Sequence, residues 1–415
     1  MNCKVKIPNT LDFQVGLPVS KSLVARKLII NALAHDHKKS TTMRIDHDVV
    51  FCDDSKVMET ALKSKSDYIN VGDTGTAMRF LTAFFACCED RTVTLDGSER
   101  MRQRPIGLLV DTLRQMGAHI NYLGYEGFPP LKITGKKLNG GSISIRANVS
   151  SQFVSALLMI APLTGGMTLT LEGEVVSRPY IDMTINLMRL YGIKVHESVK
   201  SPTTIMVPAG HYAHFPLEIE GDWSAASYWF ALKALLPQSH LVLSPLTNNS
   251  LQGDRAIVEM MEPLGVRAMF DENGTVALFT NKASDAPTFY ERDMAATPDL
   301  VPTLAVTLCL LRIPFILTGV ATLRIKESDR VEALRVELAK LGYRVECEQS
   351  TMSYDGNHTE PPHDVLIDPH GDHRIAMAMS LAATRHNGIT IKDAEVVTKS
   401  YPNWWEALCF GDQGS

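Results

Sequence analysis

The sequence predicts an α/β protein of two similar domains, on three observations. At 415 residues the chain is too long for one ordinary core. Four apolar helical stretches end alike, in "LRQMGAHI", "MRLYGIKV", "MEPLGVRA" and "LAKLGYRV", each meeting a glycine and then alternating strand-like residues. Those glycines, Gly117, Gly192, Gly265 and Gly342, lie 75, 73 and 77 residues apart (192−117, 265−192, 342−265). The third observation is a second series, out of phase with the first, in which small or polar residues open an apolar helix.

That series runs through "SKSLVARKLIINAL", "GTAMRFLTAFFA", "SSQFVSALLMIAPL", "SAASYWFALKALL", "PDLVPTLAVTLCLL" and "DHRIAMAMSLAA". Marked at Ser22, Gly75, Ser151, Ser224, Asp299 and His373, its spacings are 53, 76, 73, 75 and 74. A turn and a β-rich run follow the helices, as in "RTVTLDG" and "MTLTLEG". Two helices and several strands per period of about 75 residues give six α/β units, the first about 20 residues short. At three units per domain the seam falls near residue 220, in "EIEGDW".

Composition narrows the function. The chain is 45% hydrophobic and 21% charged, with a net charge of −5. Weak acidity argues against a nucleic-acid binder, which usually presents a basic face. "MNCKVKIPNTLDFQV" lacks the apolar core of a signal peptide. The most apolar run, "LVPTLAVTLCLLRIPFILTGV", is interrupted by Pro302, Arg312 and Pro314 and does not read as a membrane span. Seven cysteines without a CxxC pair fit a reducing cytoplasm. There is no Walker A sequence, GxGxxG, HExxH or GxSxG. Asp368, His370, Asp372 and His373 do not have the spacing of a metal-ligand set and read as capping or anion-contacting residues.

Helices that open on small polar residues offer free N–H groups and a favourable dipole, so they suit anions. Cations gather near these openings: Lys21, Arg26 and Arg374, with Arg104, Lys326, Arg330 and Lys399 on connecting segments. Arginine grips phosphate or carboxylate bidentately, and lysine serves as a mobile point charge. Arg100 and Arg102 read as surface charges. "LRIKESDRVEAL" sets Lys326 and Arg330 at a helix N-terminus, where the dipole disfavours cations; Asp329 and Glu332 there read as a capping pair. Anionic ligands would reconcile the two cations with that position. Asp299 reads either as an N-cap or as a general base, and Glu327 as a carboxylate between two cations. Ser150, Ser151 and Gln152 offer hydrogen-bonding side chains to a hydroxylated or phosphorylated ligand.

At these residues the sequence resembles the 5-enolpyruvylshikimate-3-phosphate synthase family of enolpyruvyl transferases. "SKSLVAR", "GDTGTAMR", "RMRQRPIG", "SSQFVSALL", "SRPYID", "GDWSAASY", "PDLVPTLA", "RIKESDR", "GDHRIAMA" and "TKSYPNWW" occur in the family's order over nearly the whole chain. The resemblance implies an inside-out α/β barrel in each domain, each of three βαβαββ-type units, with ligands in the interdomain cleft. It divides the chain into 18–219 and 1–17 with 220–415. It implies transfer of the carboxyvinyl group of phosphoenolpyruvate to the 5-hydroxyl of shikimate 3-phosphate, without cofactor or metal, in a cytoplasmic enzyme expected to be a monomer.

By motif match, shikimate 3-phosphate would meet Lys21, Ser22, Arg26, Ser150, Ser151, Gln152, Ser177, Tyr180, Asp299 and Lys326. Phosphoenolpyruvate would meet Lys21, Gly75, Arg104, Gln152, Arg330, Arg374 and Lys399. Asp299 would take the hydroxyl proton, and Glu327 or Lys21 would protonate the methylene carbon. The chain departs from the family at Val19 (usually Gly), Val24-Ala25 (Ser-Asn), Asp73, Thr74 and Phe80 (in place of "GNAGTAMRP") and Thr322 (Asn). These departures motivate one alternative, a binding-only paralogue. A second, the related transferase acting on UDP-N-acetylglucosamine, is disfavoured because "RMRQRP" lacks the Cys of that family's loop.

Overall fold

The computed structural model describes residues 1–34, 52–146, 150–198, 200, 203–281, 286–361 and 363–409. Two compact units result, Lys21–Ile219 and Met1–Ser20 with Glu220–Ser415.

The Lys21–Ile219 unit holds two four-stranded sheets of one design. In the first, Tyr68–Asn70 runs parallel to Thr92–Asp96, which pairs antiparallel with Leu131–Thr134, and that strand pairs antiparallel with His119–Tyr122. In the second, Gly141–Arg146, Gly166–Glu172, Thr203–Pro208 and His196–Ser198 repeat this order and these directions. Parallel strands need a crossover connection, and here a helix supplies it: Gly75–Ala86 in the first sheet and Ser151–Ile160 in the second. The second helix of each unit, Gly107–Gln115 or Arg178–Leu190, leads into the antiparallel hairpin.

The other unit repeats the design twice. Tyr290–Asp293, Phe315–Thr318, Thr351–His358 and Tyr343–Cys347 form one such sheet. In the other, the parallel partner of His240–Ser244 comes from the chain start, Asp12–Gly16, followed by Val276–Thr280 and Val266–Phe270. The last repeat is reduced to Leu366–Ile367 parallel to Thr390–Ile391, completed by Cys3–Lys4.

The residues that marked the period have matching conformations. Gly117, Gly192, Gly265 and Gly342 all have φ between +83° and +98°, the left-handed C-cap geometry that a Cβ disfavours. The helices of the second series begin at Lys21, Gly75, Ser151, Trp223, Val301 and His373. Those starting at Ser151, Trp223, Val301 and His373 are buried on nearly every face, which explains their uniform apolarity. "NWW" belongs to the core, since Trp404 is fully buried against Tyr228, Trp229 and Tyr401. Among the described residues no helix is long and apolar enough to cross a membrane.

Candidate functional site

In the Glu220–Ser415 unit the site is built around Arg330, the first residue of the helix Arg330–Lys340 and only 1% exposed. Asp329 caps that helix, accepting from the Glu332 N–H at 3.1 Å. The Glu332 carboxylate does not complete a capping box; it binds Arg335 at 2.6 and 2.9 Å. Arg330 Nη1 donates to Asp299 Oδ1 (2.8 Å), Nη2 to Glu327 Oε2 (2.9 Å) and Nε to Asp372 Oδ2 (2.7 Å). Three protein carboxylates therefore surround the cation that the helix dipole disfavours. The sequence by itself points only to a ligand for that compensation.

Asp299 lies in the 3-10 turn Pro298–Leu300, ahead of the helix Val301–Leu310. It does not act as a simple cap. Its Oδ1 accepts from Arg330, its Oδ2 accepts from Arg374 Nη2 at 2.9 Å, and Lys326 Nζ stands 3.6 Å from Oδ1. Burial pushes the Asp299 pKa up, but Arg374, Lys326 and Arg330 outweigh it and hold the group well below the usual carboxylate range. Burial likewise opposes the charge on Arg330, yet Asp372, Glu327 and Asp299 raise its pKa.

Asp372, fully buried, ties the cluster together. Besides Arg330 it accepts from Ser328 Oγ (3.2 Å) and caps the helix His373–Ser380 through the Arg374 N–H (2.9 Å). One carboxylate thus bonds the side chain of Arg330 and the backbone of Arg374, the two arginines that reach Asp299. His370 meets Glu337 at 3.0 Å, and among the described residues no His/Cys/Asp/Glu group is arranged to hold a metal ion. Lys399 closes the 3-10 helix Ala394–Lys399, which packs on the helix His373–Ser380.

The Lys21–Ile219 unit brings its own predicted residues together in two places. Lys21 opens the helix Lys21–Ala34 and pairs with Asp54 Oδ2 at 3.0 Å, while Thr74 Oγ1 donates to Asp54 Oδ1 at 2.8 Å. Gly75, next to Thr74, lies directly under Arg104: a Cβ there would be 2.8 Å from both Nη atoms. Gln152 Nε2 donates to Thr76 Oγ1 at 3.2 Å, and Ser150 caps its helix through the Gln152 N–H. Ser151 is buried in the first turn of the same helix.

Arg26 is 2% exposed and aims inward, at Thr184 Oγ1 (2.7 Å), Ser155 Oγ (3.2 Å) and the carbonyls of Ser22 and Tyr180. Burial pulls its pKa down to about 10. Ser177, buried at the start of the helix Arg178–Leu190, has φ +54°, a sparsely populated conformation for a non-glycine residue.

Four of the departures from the family pattern have partners, whereas Thr322 Oγ1 is buried without a hydrogen-bond partner among the described residues. Asp73 accepts a hydrogen bond from Ser98, which caps the short helix Glu99–Arg102. Phe80 is buried with the Arg26 guanidinium 5.4 Å over its ring. Val19 forms a β-bridge with Gly221, and Thr74 holds Asp54. Asp372 caps as its sequence context indicates, but neither its ion pair with Arg330 nor that of Asp54 with Lys21 is legible in the sequence. Asp54 sits in an acidic helix start that reads as ordinary charge complementarity, and Asp372 in a histidine-rich run that suggested capping.

The chain matches the model of the EPSP synthase (3-phosphoshikimate 1-carboxyvinyltransferase) family over residues 5–408. A 3-phosphoshikimate 1-carboxyvinyltransferase of Bacteroides fragilis (strain YCH46) is 42% identical over 98% of this chain and 97% of its own. One from Methanospirillum hungatei is 36% identical over 95% of each. An EPSP synthase structure from Acinetobacter baumannii, at 22% identity, superposes with a TM-score of 0.71 over 98% of this chain and 97% of that one, a likeness of fold. With two arginines, a lysine and a carboxylate converging in one unit and a family match across nearly its whole length, the chain belongs to the EPSP synthase (3-phosphoshikimate 1-carboxyvinyltransferase) family.

Proposed function

We propose that Asp299 is the general base of this enzyme and that Arg330 and Arg374 receive the carboxylate of phosphoenolpyruvate. The reaction is the family's: the enolpyruvyl group of phosphoenolpyruvate moves to shikimate 3-phosphate in the shikimate pathway. One observation carries the assignment. The Asp299 carboxylate lies across Arg330 and Arg374, one oxygen to each, so the two guanidiniums already converge on a carboxylate.

That geometry also regulates the base. Held by Arg374, Lys326 and Arg330, Asp299 has little affinity for a proton. A substrate anion that engages those arginines weakens their hold, and the proton affinity of Asp299 rises where the hydroxyl must be deprotonated. The hydroxyl oxygen then bonds to C2, its proton passes to Asp299, and C3 takes a proton from Glu327 or Lys21. Glu327 shares the Arg330 guanidinium with Asp299; Lys21 is oriented by Asp54. Expulsion of phosphate and return of a proton from C3 complete the transfer. The remaining cations offset the developing charge.

Shikimate 3-phosphate is assigned to Lys21, Ser22, Arg26, Ser150, Ser151, Gln152, Ser177, Tyr180, Asp299 and Lys326. The phosphate of phosphoenolpyruvate is assigned to Arg104 and Lys399, with Lys21, Gly75 and Gln152 beside it. Purified protein given both substrates should release phosphate; binding of both without release above background would establish the binding-only alternative. Gly75→Ala should displace the Arg104 head, because the new Cβ would meet both Nη atoms. Its KM for phosphoenolpyruvate should rise roughly fivefold, with stability changed by less than about 1 kcal/mol, since the colliding group ends a flexible side chain. An unchanged KM would remove Arg104 from the phosphoenolpyruvate site.

The six described free thiols are consistent with a reducing cytoplasm. We read the enzyme as a cytoplasmic monomer, to be checked by sedimentation against the 45.8 kDa chain mass.

A further inference from the structure

Beside the cluster stands a carboxyl that the mechanism does not use. Asp254 lies in the 3-10 turn Gly253–Ala256, packed against the first turn of the helix Trp223–Leu235, and is 4% exposed. Its Oδ2 accepts a hydrogen bond from Ser224, and its Oδ1 has no hydrogen-bond partner among the described residues. Lys326, Arg330 and Arg374 are matched by Asp299, Glu327 and Asp372. Among the described residues Asp254 has no ion pair of its own. A buried carboxylate without a cation is expensive, and such a group keeps its proton instead.

We propose that Asp254 is a positioning residue that acts as a neutral acid: by staying protonated beside Asp299 and Arg374, it adds no further negative charge to the arginine pair that attracts an anionic substrate. This rests on the assignment of Arg330 and Arg374 to phosphoenolpyruvate. The charged groups facing Asp254 come from three elements. Asp299 precedes the helix Val301–Leu310, Arg374 lies in the helix His373–Ser380, and Asp222 caps the helix Trp223–Leu235. On its own turn, Arg255 is taken up by Glu259 and Asn248.

Burial is the largest cause that pushes the Asp254 pKa up, to about 7, and the Asp299 charge adds to it. Arg374 and the Ser224 hydrogen bond pull the other way, and Asp222 raises it further. Asp254 is therefore neutral on the acid side of this value and loses its proton as pH rises through it. Once ionised, it competes for Arg374 and repels the incoming anion.

The test is the pH dependence of KM for phosphoenolpyruvate in the wild type, Asp254→Asn and Ser224→Ala. Ionisation of the substrate affects all three alike and cancels in their ratios. The wild-type to Asp254→Asn ratio of KM should be near one at pH 6 and rise to roughly tenfold by pH 9, the factor that one pKa unit represents. Ser224→Ala removes a bond that favours the charged form, so its inflection should move to higher pH. Parallel profiles for the wild type and Asp254→Asn would overturn the proposal. If Asp254→Asn does not fold, Ser224→Ala decides alone: an upward shift supports the proposal and an unmoved inflection overturns it. Arg374→Gln separates the two readings. A normal KM in that variant overturns the site assignment and this proposal together, whereas a raised KM beside parallel profiles overturns this proposal only.

Discussion

Asp299→Ala is expected to lower kcat by about a thousandfold while phosphoenolpyruvate remains bound. The size follows from the role: a positioned general base contributes roughly 10²–10⁴. Retained binding follows from the geometry. Arg330 and Arg374 each give one hydrogen bond to Asp299, and removing this internal carboxylate releases one donor on each for the substrate's carboxylate. The dissociation constant for phosphoenolpyruvate should therefore stay level or fall as kcat collapses. A purely structural role for Asp299 would weaken binding and turnover together. Single-turnover phosphate release and an equilibrium titration on the same preparation separate these outcomes, and turnover within tenfold of wild type would remove Asp299 from the chemistry. The pH behaviour has a defined sign. The folded-state pKa of Asp299 is depressed, so its contribution to stability is full above the unfolded carboxylate pKa and is lost as pH falls toward the depressed value.

What the sequence disclosed and what it concealed divide by distance along the chain. Local chemistry was readable: the four glycines needed a left-handed φ whatever lay around them, and Asp329 needed only the next turn to cap. The period of the α/β units was likewise written in helix and strand patterning. The pairings that make the site specific are remote. Asp54 finds Lys21 across 33 residues, Asp372 finds Arg330 across 42, and Asp299 finds Arg374 across 75. No local pattern marks which of several acidic residues meets which cation. Asp254 was hidden for the same reason, since its unusual state comes from burial and from a charge on another turn. The parallel pairing of Asp12–Gly16 with His240–Ser244 is a further case, joining strands more than 200 residues apart. Arg26 shows the same limit. Its motif marks it as a substrate-binding cation, but nothing local shows that the same guanidinium also bonds Thr184, Ser155 and two carbonyls.

Arg330→Met should be the most destabilising single change in the site, by about 3–5 kcal/mol, because it strands buried carboxylates that had shared one guanidinium. Asp372 suffers most. It is fully buried, and the variant deprives it of the 2.7 Å bond to Nε. Replacing Asp372 as well should recover part of the loss, and the choice of residue matters. Asp372 also caps the helix His373–Ser380, so Ala there would forfeit about 1 kcal/mol of capping, whereas Asn keeps an acceptor for the Arg374 N–H. Arg330→Met/Asp372→Asn should therefore be more stable than Arg330→Met alone, a coupling of opposite sign to simple addition. Denaturant unfolding at two pH values sharpens the comparison. In Arg330→Met the stranded carboxylates gain proton affinity, so they protonate on mild acidification and the deficit relative to wild type shrinks. The wild type has no such gain: with Asp299 held below the usual carboxylate range, its contribution stays full from pH 8 to pH 5 and is lost only below the unfolded carboxylate pKa. A deficit that stayed constant between pH 8 and pH 5 would mean that lost packing around the arginine stem, and not the stranded charge, accounts for the destabilisation.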